Sequence, residues 1–140
     1  MGGDNDMMLV PVTLISTAAA VLLNFWLSWR IGSLREEYKV SVGDGGHEPL
    51  LRRMRAQSNF IENAPFVLIL IGALELSGVN RWALGGIATV FLATRIAHAF
   101  GMDGGERQRW RMYGMTGTMI TNLALVIWAV VCVARVCLGR

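Results

Sequence analysis

The sequence predicts an all-α integral membrane protein whose four helices form an up-down bundle, and three observations support this prediction. Of the 140 residues, 54% are hydrophobic and the mean hydropathy is +0.46, which is too apolar for an ordinary soluble domain of this length. The apolar residues fall into four long runs separated by polar loops. No alternating strand pattern is present, and open sheet edges would leave backbone groups unpaired in lipid.

The first run predicts a helix at about residues 8–30. The segment from Met7 to Trp29 contains no charged side chain, and about 20 apolar residues suffice to cross a hydrocarbon core roughly 30 Å thick. A cleaved signal peptide is the alternative. We expect a retained span because Asp4 and Asp6, and not a basic region, precede the run.

The remaining runs predict three further helices in the same domain. Gly-rich or polar segments, which favour turns and loops, separate the runs at residues 41–49, 77–80 and 101–109. There is no internal repeat. We therefore expect one four-helix domain over residues 1–140, with the later helices at about 50–76, 82–100 and 112–138.

The positive charges are distributed unevenly between the two ends of the predicted bundle. One end carries Arg30, Arg35, Lys39, Arg52, Arg53, Arg107, Arg109 and Arg111. The other end carries only Arg81, Arg135 and Arg140. The positive-inside rule then predicts that the more basic end is cytoplasmic and that both termini are on the opposite side. Topology thus accounts for the basic pI, and no nucleic-acid partner is expected.

The common soluble catalytic motifs are absent from the sequence, so any chemistry must come from polar groups within the helices. Cys132 and Cys137 form no C-x-x-C pair and have no neighbouring His or carboxylate, so no metal site is predicted. Asn24 and Asn122 are typical of interhelical hydrogen bonds. Glu75 is expected to be interfacial or paired.

A polar stripe begins the second predicted helix. Arg52, Arg55, Asn59, Glu62 and Phe66 are spaced by three or four residues, which places them on one helix face. Because a Glu facing lipid costs a few kcal/mol, the stripe should face the bundle interior or a water-filled cavity. A salt-bridge network that only holds the helices together is the structural alternative.

Further cations are expected at the same end of the bundle. The third helix carries Arg95 and His98 near its end, and the fourth begins with Arg109 and Arg111 beside Tyr113. Arginine pairs bidentately with carboxylates, and a glutamate accepts hydrogen bonds from an ammonium group. Together with the stripe, these residues predict a pocket for a small, polyanionic, amino-acid-like ligand.

At these positions the sequence resembles the MAPEG family, the membrane-associated proteins in eicosanoid and glutathione metabolism, and especially its microsomal glutathione transferase and prostaglandin E synthase members. The segment "RAQSNFIENAP" (Arg55–Pro65) is similar to the second-helix signature of the family. The segments "RIAH" (Arg95–His98) and "RMYG" (Arg111–Gly114) are similar to its third and fourth helices. Met102 and Asn63 depart from the pattern, because many members have aromatic residues there.

The resemblance implies a homotrimer that binds glutathione between neighbouring subunits near the cytoplasmic face. It implies that Arg111 stabilises the glutathione thiolate, with Arg109 as the alternative. Since a free thiol has a pKa of about 8.5, an adjacent guanidinium would favour the nucleophilic thiolate. Arg30 is the alternative to Arg35 in the implied site. The implied glutathione-binding residues are Arg35, Arg55, Gln57, Asn59, Glu62, Arg95, His98 and Tyr113.

The expected function is that of a glutathione-dependent transferase or peroxidase acting on lipophilic electrophiles or lipid hydroperoxides. The alternative is a non-catalytic member that binds lipid or a partner protein and uses the polar stripe for trimer assembly. A channel is disfavoured because "FVLILIGAL" (Phe66–Leu74) would interrupt a polar path. The expected location is a bacterial inner membrane with the site toward the cytoplasm. The expected partners are glutathione, a lipophilic small molecule, membrane lipid and further copies of the chain.

Overall fold

The computed structural model describes residues 9–139, and all regular structure in that range is helical. By length and composition, each of the four long helices is able to cross a membrane. A short 3-10 turn at Gly105–Arg107 precedes the last of them. The helices are α1 (Pro11–Tyr38), α2 (Glu48–Leu76), α3 (Arg81–Gly101) and α4 (Gln108–Cys137). The predicted all-α four-helix membrane bundle is confirmed.

Side-chain contacts between α1 and α2 show that these helices are antiparallel. In the first half of α2, the Gln57 amide donates a hydrogen bond at 3.2 Å to Asn24 Oδ1, at the middle of α1. Near the end of α2, the Glu75 carboxylate accepts from the Thr13 amide at 2.8 Å, in the first turn of α1. Asn24 therefore forms an interhelical hydrogen bond, as the sequence predicts. The buried Asn122 Oδ1 of α4 has no partner among residues 9–139.

Glu75 also caps the N-terminal end of α1. The first amides of any helix lack intrahelical acceptors, and no capping side chain of the α1 segment itself supplies one. Instead, Glu75 accepts from the Val12 amide at 2.9 Å, the Thr13 amide at 2.8 Å and Thr13 Oγ1 at 2.7 Å. The partial positive charge at a helix N-terminus favours this buried carboxylate. An acidic side chain of α2 thus caps the helix that precedes it.

The first helix extends to Tyr38, well beyond the end expected near residue 30. The charge at Arg30 does not end the helix, because this side chain is buried and paired within the bundle. Past it, Ile31 and Leu34 pack with Leu50 of α2 in a small second core. α4 likewise begins at residue 108 and not near 112, since its first basic residues lie inside the helix. The main core contains Leu27, Phe60, Val67, Ile71 and Phe91.

Glycines bring the backbones of α3 and α4 into direct contact, again with the helices antiparallel. A Cβ atom at Gly114 would lie 2.6 Å from both the backbone nitrogen of His98 and the backbone oxygen of Thr94. A Cβ at Gly101 would lie 2.0 Å from the backbone nitrogen of Arg111. Small residues at helix interfaces permit such close approach in membranes. The contact places the start of α4 directly beside the end of α3.

We expect Gly114→Ala to destabilise the protein because its methyl group would push α3 and α4 apart. Overpacking of this kind costs about 1–3 kcal/mol. The matched control is Gly32→Ala in α1, where a Cβ atom would meet nothing within 4 Å. That change should leave stability unchanged or raise it through better helix propensity. The measurement is thermal unfolding of both variants in the same detergent. Equal midpoints for the two variants would show that the helix contact tolerates a methyl group.

Candidate functional site

A cleft of about 290 Å³ opens between α2, α3 and α4 at the end of the bundle where α3 finishes and α4 begins. We call it the polar cleft. His98 at its base is buried, whereas Arg55, Glu62 and Arg111 at its rim are exposed. The residues that line the polar cleft are Arg55, Ser58, Asn59, Glu62, His98, Met102, Arg111 and Met115.

The polar cleft unites five of the candidate residues that the sequence indicated on three separate helices. They are Arg55, Asn59, Glu62, His98 and Arg111. Within the part of the chain that the structure describes, neither arginine of the cleft forms an ion pair, and neither does Glu62. The salt-bridge network considered as an alternative is therefore absent from those residues. Two cations and one carboxylate remain available to a ligand.

Arg95 lies behind the polar cleft and supports it from inside the bundle. The side chain is only 2% exposed, and one terminal nitrogen donates to Asn59 Oδ1 while the other donates to the Gly114 carbonyl at 3.2 Å. With the amide oxygen of Asn59 occupied by Arg95, its NH₂ group is the part that remains for the cleft. Arg95 therefore fixes a residue of the cleft without lining the cleft itself.

Two of the implied binding residues on the α1 side lie away from the polar cleft. Gln57 faces α1, where its amide donates to Asn24 Oδ1 at 3.2 Å and to Ser28 Oγ at 2.6 Å. Arg35 is close to the first connection, where it donates to the Ser41 carbonyl at 3.2 Å. Gln57 follows Arg55 by about 200° around the helix, so that the two side chains face different neighbours.

Arg109 and Arg111, the two candidates for contact with the glutathione thiol, both lie in the first turns of α4. Arg111 lines the polar cleft, whereas Arg109 lines a different surface depression together with Glu106. Two residues correspond to about 200° on a helix, so the two side chains leave α4 on different faces. Tyr113 is 66% exposed and is not among the residues that line the polar cleft.

A buried ion pair beside the polar cleft was not anticipated from the sequence. Arg30 of α1 is 6% exposed and pairs with Asp103 in the connection after α3. Its guanidinium also donates to the Ala99 carbonyl at 3.3 Å. The guanidinium carbon lies 4.7 Å from the ring centre of Trp26 and 5.6 Å from that of Phe100, which is cation-π distance. The Arg30 guanidinium thus contacts a carboxylate, a carbonyl and two aromatic rings within the bundle.

Arg53 of α2 joins the same network, which we call the Asp103 network. It donates to the Arg30 carbonyl at 2.8 Å and to Asp103 Oδ1 at 3.3 Å. Asp103 directly follows Met102, a residue of the polar cleft. The network therefore ties α1, α2 and the end of α3 together next to the site. Arg30 and Asp103 are 73 residues apart, so no local sequence pattern reveals their pairing.

Four antiparallel membrane helices with a polar cleft at one end define an integral membrane protein, and sequence comparison assigns its family. Residues 13–131 match the MAPEG family, and the chain belongs to this family of glutathione-related membrane proteins. The chain is also similar to "Inner membrane protein YecN" of Escherichia coli, in strain K12 and in strain O6:H1. In both cases the identity is 30% over 116 residues, covering 83% of this chain and 88% of the relative.

We expect Asp103→Asn to lower the free energy of unfolding by about 3 kcal/mol, because it leaves the buried Arg30 without a counter-charge. Glu48→Gln is the matched control, since Glu48 pairs with Arg52 at 2.6 Å on the exposed surface one helical turn away. An exposed pair of that kind contributes about 0.3–0.5 kcal/mol. Thermal unfolding in detergent measures both changes. A similar small effect for the two variants would mean that Arg30 is solvated in the absence of its partner.

Proposed function

We propose that the protein is a glutathione-dependent transferase or peroxidase that acts on lipophilic electrophiles or lipid hydroperoxides. The observation that carries this proposal is the meeting of Arg55, Glu62 and Arg111 in one cleft, where no described residue neutralises them. Membership of a glutathione-related family supports it. The similarity to an inner membrane protein supports a location in a bacterial inner membrane.

The charges of the polar cleft fit those of glutathione, which carries two carboxylates, one ammonium and one thiol. Arg55 is the group suited to pair with a carboxylate, and Glu62 is the group suited to accept from the ammonium. The NH₂ group of Asn59, held in place by Arg95, donates to a further oxygen. Arg55 and Glu62 are about two turns apart on α2, so they address different parts of an extended tripeptide.

Arg111 is then the group that remains for the thiol. Its guanidinium stabilises a thiolate by charge, and a neighbouring opposite charge lowers a pKa by about 1–3 units. The buried His98 forms the wall beside it. Glutathione supplies a thiol that either adds to an electrophilic carbon or, as two molecules, reduces a hydroperoxide to an alcohol and water with formation of glutathione disulfide.

The apolar surface next to the polar cleft favours a second substrate that arrives from the lipid. Met115 lines the cleft and is 50% exposed. About one and two turns further along α4, Met119 is 65% exposed and Leu123 is 60% exposed. A hydrophobic molecule dissolved in the bilayer can therefore reach the cleft along α4 without crossing water.

The open rim of the polar cleft favours a homotrimer in which a neighbouring subunit completes the site. In the single chain Arg55, Glu62 and Arg111 are all exposed, whereas a glutathione site that orders a charged tripeptide needs walls on both sides. The basic residues grouped at the same end favour a cytoplasmic orientation of the cleft, with both termini on the opposite side.

We expect Arg111→Ala to lower turnover about 10- to 100-fold and to abolish the thiolate absorbance of bound glutathione, with a modest loss of affinity. The measurements are calorimetry and an ultraviolet difference spectrum on detergent-purified protein, followed by turnover with a lipophilic electrophile. Arg109→Ala is the matched control, because Arg109 lies in a different depression on the same helix.

The same experiment separates the alternatives. If Arg109→Ala removes the thiolate signal and Arg111→Ala does not, the role at the sulfur belongs to Arg109. If the wild type does not bind glutathione at millimolar concentration, the transferase proposal is overturned. The non-catalytic alternative, in which the polar stripe serves assembly, then becomes the better explanation of the cleft.

A further inference from the structure

A second groove lies between α1 and α3 at the end of the bundle opposite the polar cleft. Its volume is about 620 Å³. We call it the α1–α3 groove. Arg81 and Trp82 stand at its mouth, and its wall descends along α3 as far as Leu92. The residues that shape it include Ile15, Arg81, Trp82, Gly85, Gly86 and Leu92.

The dimensions of the α1–α3 groove match one leaflet of a bilayer. At 1.5 Å per residue, Arg81 is about 26 Å along α3 from His98, so the two lie near opposite membrane surfaces. From Arg81 to Leu92 the groove is about 16 Å deep. Half of a hydrocarbon core roughly 30 Å thick is about 15 Å. An acyl chain of one leaflet is therefore about as long as the groove is deep.

The wall of the α1–α3 groove below its mouth is largely apolar, and two of its polar groups are already bonded within the protein. Thr89 Oγ1 donates to the Gly85 carbonyl at 2.8 Å, and the Val12 amide donates to Glu75 at 2.9 Å. At Gly85 and Gly86 an added Cβ atom would meet nothing within 4 Å, so a chain can lie directly against the backbone of α3. The groove is thus a largely apolar slot, with the Ser16 hydroxyl as a further polar group in its lining.

The mouth of the α1–α3 groove carries a positive charge. Arg81 is exposed and forms no ion pair with any residue of the described range 9–139. The nearby Glu75 is buried and occupied by the amides of α1. Trp82 is 90% exposed, as is typical of side chains that anchor a helix in the headgroup region. The positive N-terminal end of α3 adds to the attraction for an anion.

We propose that the α1–α3 groove binds an anionic phospholipid of the leaflet opposite the polar cleft. One acyl chain occupies the slot against Gly85 and Gly86, and the headgroup phosphate pairs with Arg81 beside Trp82. The combination of an apolar slot of leaflet depth with one unpaired guanidinium at the interface selects this ligand chemistry. The inference does not depend on glutathione chemistry at the other end of the bundle.

The test is lipid retention by the full-length protein. The protein is purified from nanodiscs containing equal amounts of phosphatidylglycerol and phosphatidylcholine with identical acyl chains, and the bound lipids are counted by native mass spectrometry. We expect the wild type to retain phosphatidylglycerol about fivefold over phosphatidylcholine, the equivalent of about 1 kcal/mol for one cation at a membrane surface. Arg81→Gln should remove this preference.

Two further variants make the result specific to the α1–α3 groove. Arg135→Gln is the matched control, because Arg135 is an exposed cation in the last turn of α4 and does not line the groove. It should keep the fivefold preference. Gly85→Leu fills the slot and should reduce retention of both lipids, while it remains compatible with a helix.

Three outcomes would overturn the proposal. One is equal retention of the two lipids by the wild type. Another is an equal loss of preference in Arg81→Gln and Arg135→Gln, which would indicate general surface attraction. The third is a lipid-free oligomer in which a crosslinker attached at Gly85→Cys captures a second copy of the chain, which would show that a neighbouring subunit fills the groove.

Discussion

The ion pair between Arg30 and Asp103 is the interaction on which the site end of the bundle depends. Taking both charges out of water is costly, and the cost is offset because Arg30 also donates to a carbonyl and lies over two aromatic rings. Through Arg53 the pair holds α1, α2 and the end of α3 at fixed positions. The polar cleft opens next to this fixed point, because its lining residue Met102 directly precedes Asp103, so the ion pair helps to set the positions of its walls.

The arginines at this end of the bundle form two groups, according to whether their side chains bond to protein atoms or remain free to bind a ligand. Arg30, Arg53 and Arg95 have their hydrogen bonds directed at protein atoms and support the structure. Arg55 and Arg111 line the cleft without an ionic partner in the described chain. A guanidinium that stays exposed and unpaired beside a carboxylate is available for binding, whereas the terminal nitrogens of the buried Arg30 and Arg95 already donate to protein oxygens.

The sequence was sufficient for the number and approximate positions of the helices and for the α2 wall of the polar cleft, because both follow from periodicity. Apolar runs of membrane length predict four helices, and spacings of three and four residues place Arg55, Asn59 and Glu62 on one face. Two kinds of feature could not be predicted from periodicity. The end of α1 depends on burial of Arg30, and that burial depends on Asp103 far along the chain. The closeness of α3 and α4 depends on which faces carry their glycines, which only the packed structure shows.

The cap that Glu75 supplies to α1 has a consequence for how the protein is made. The first span of the chain begins with amides whose acceptor belongs to the last turn of the second span. Those amides remain without this acceptor until α2 has crossed the bilayer in the opposite direction. The hairpin of α1 and α2 is therefore the smallest unit in which both amides have their protein acceptor.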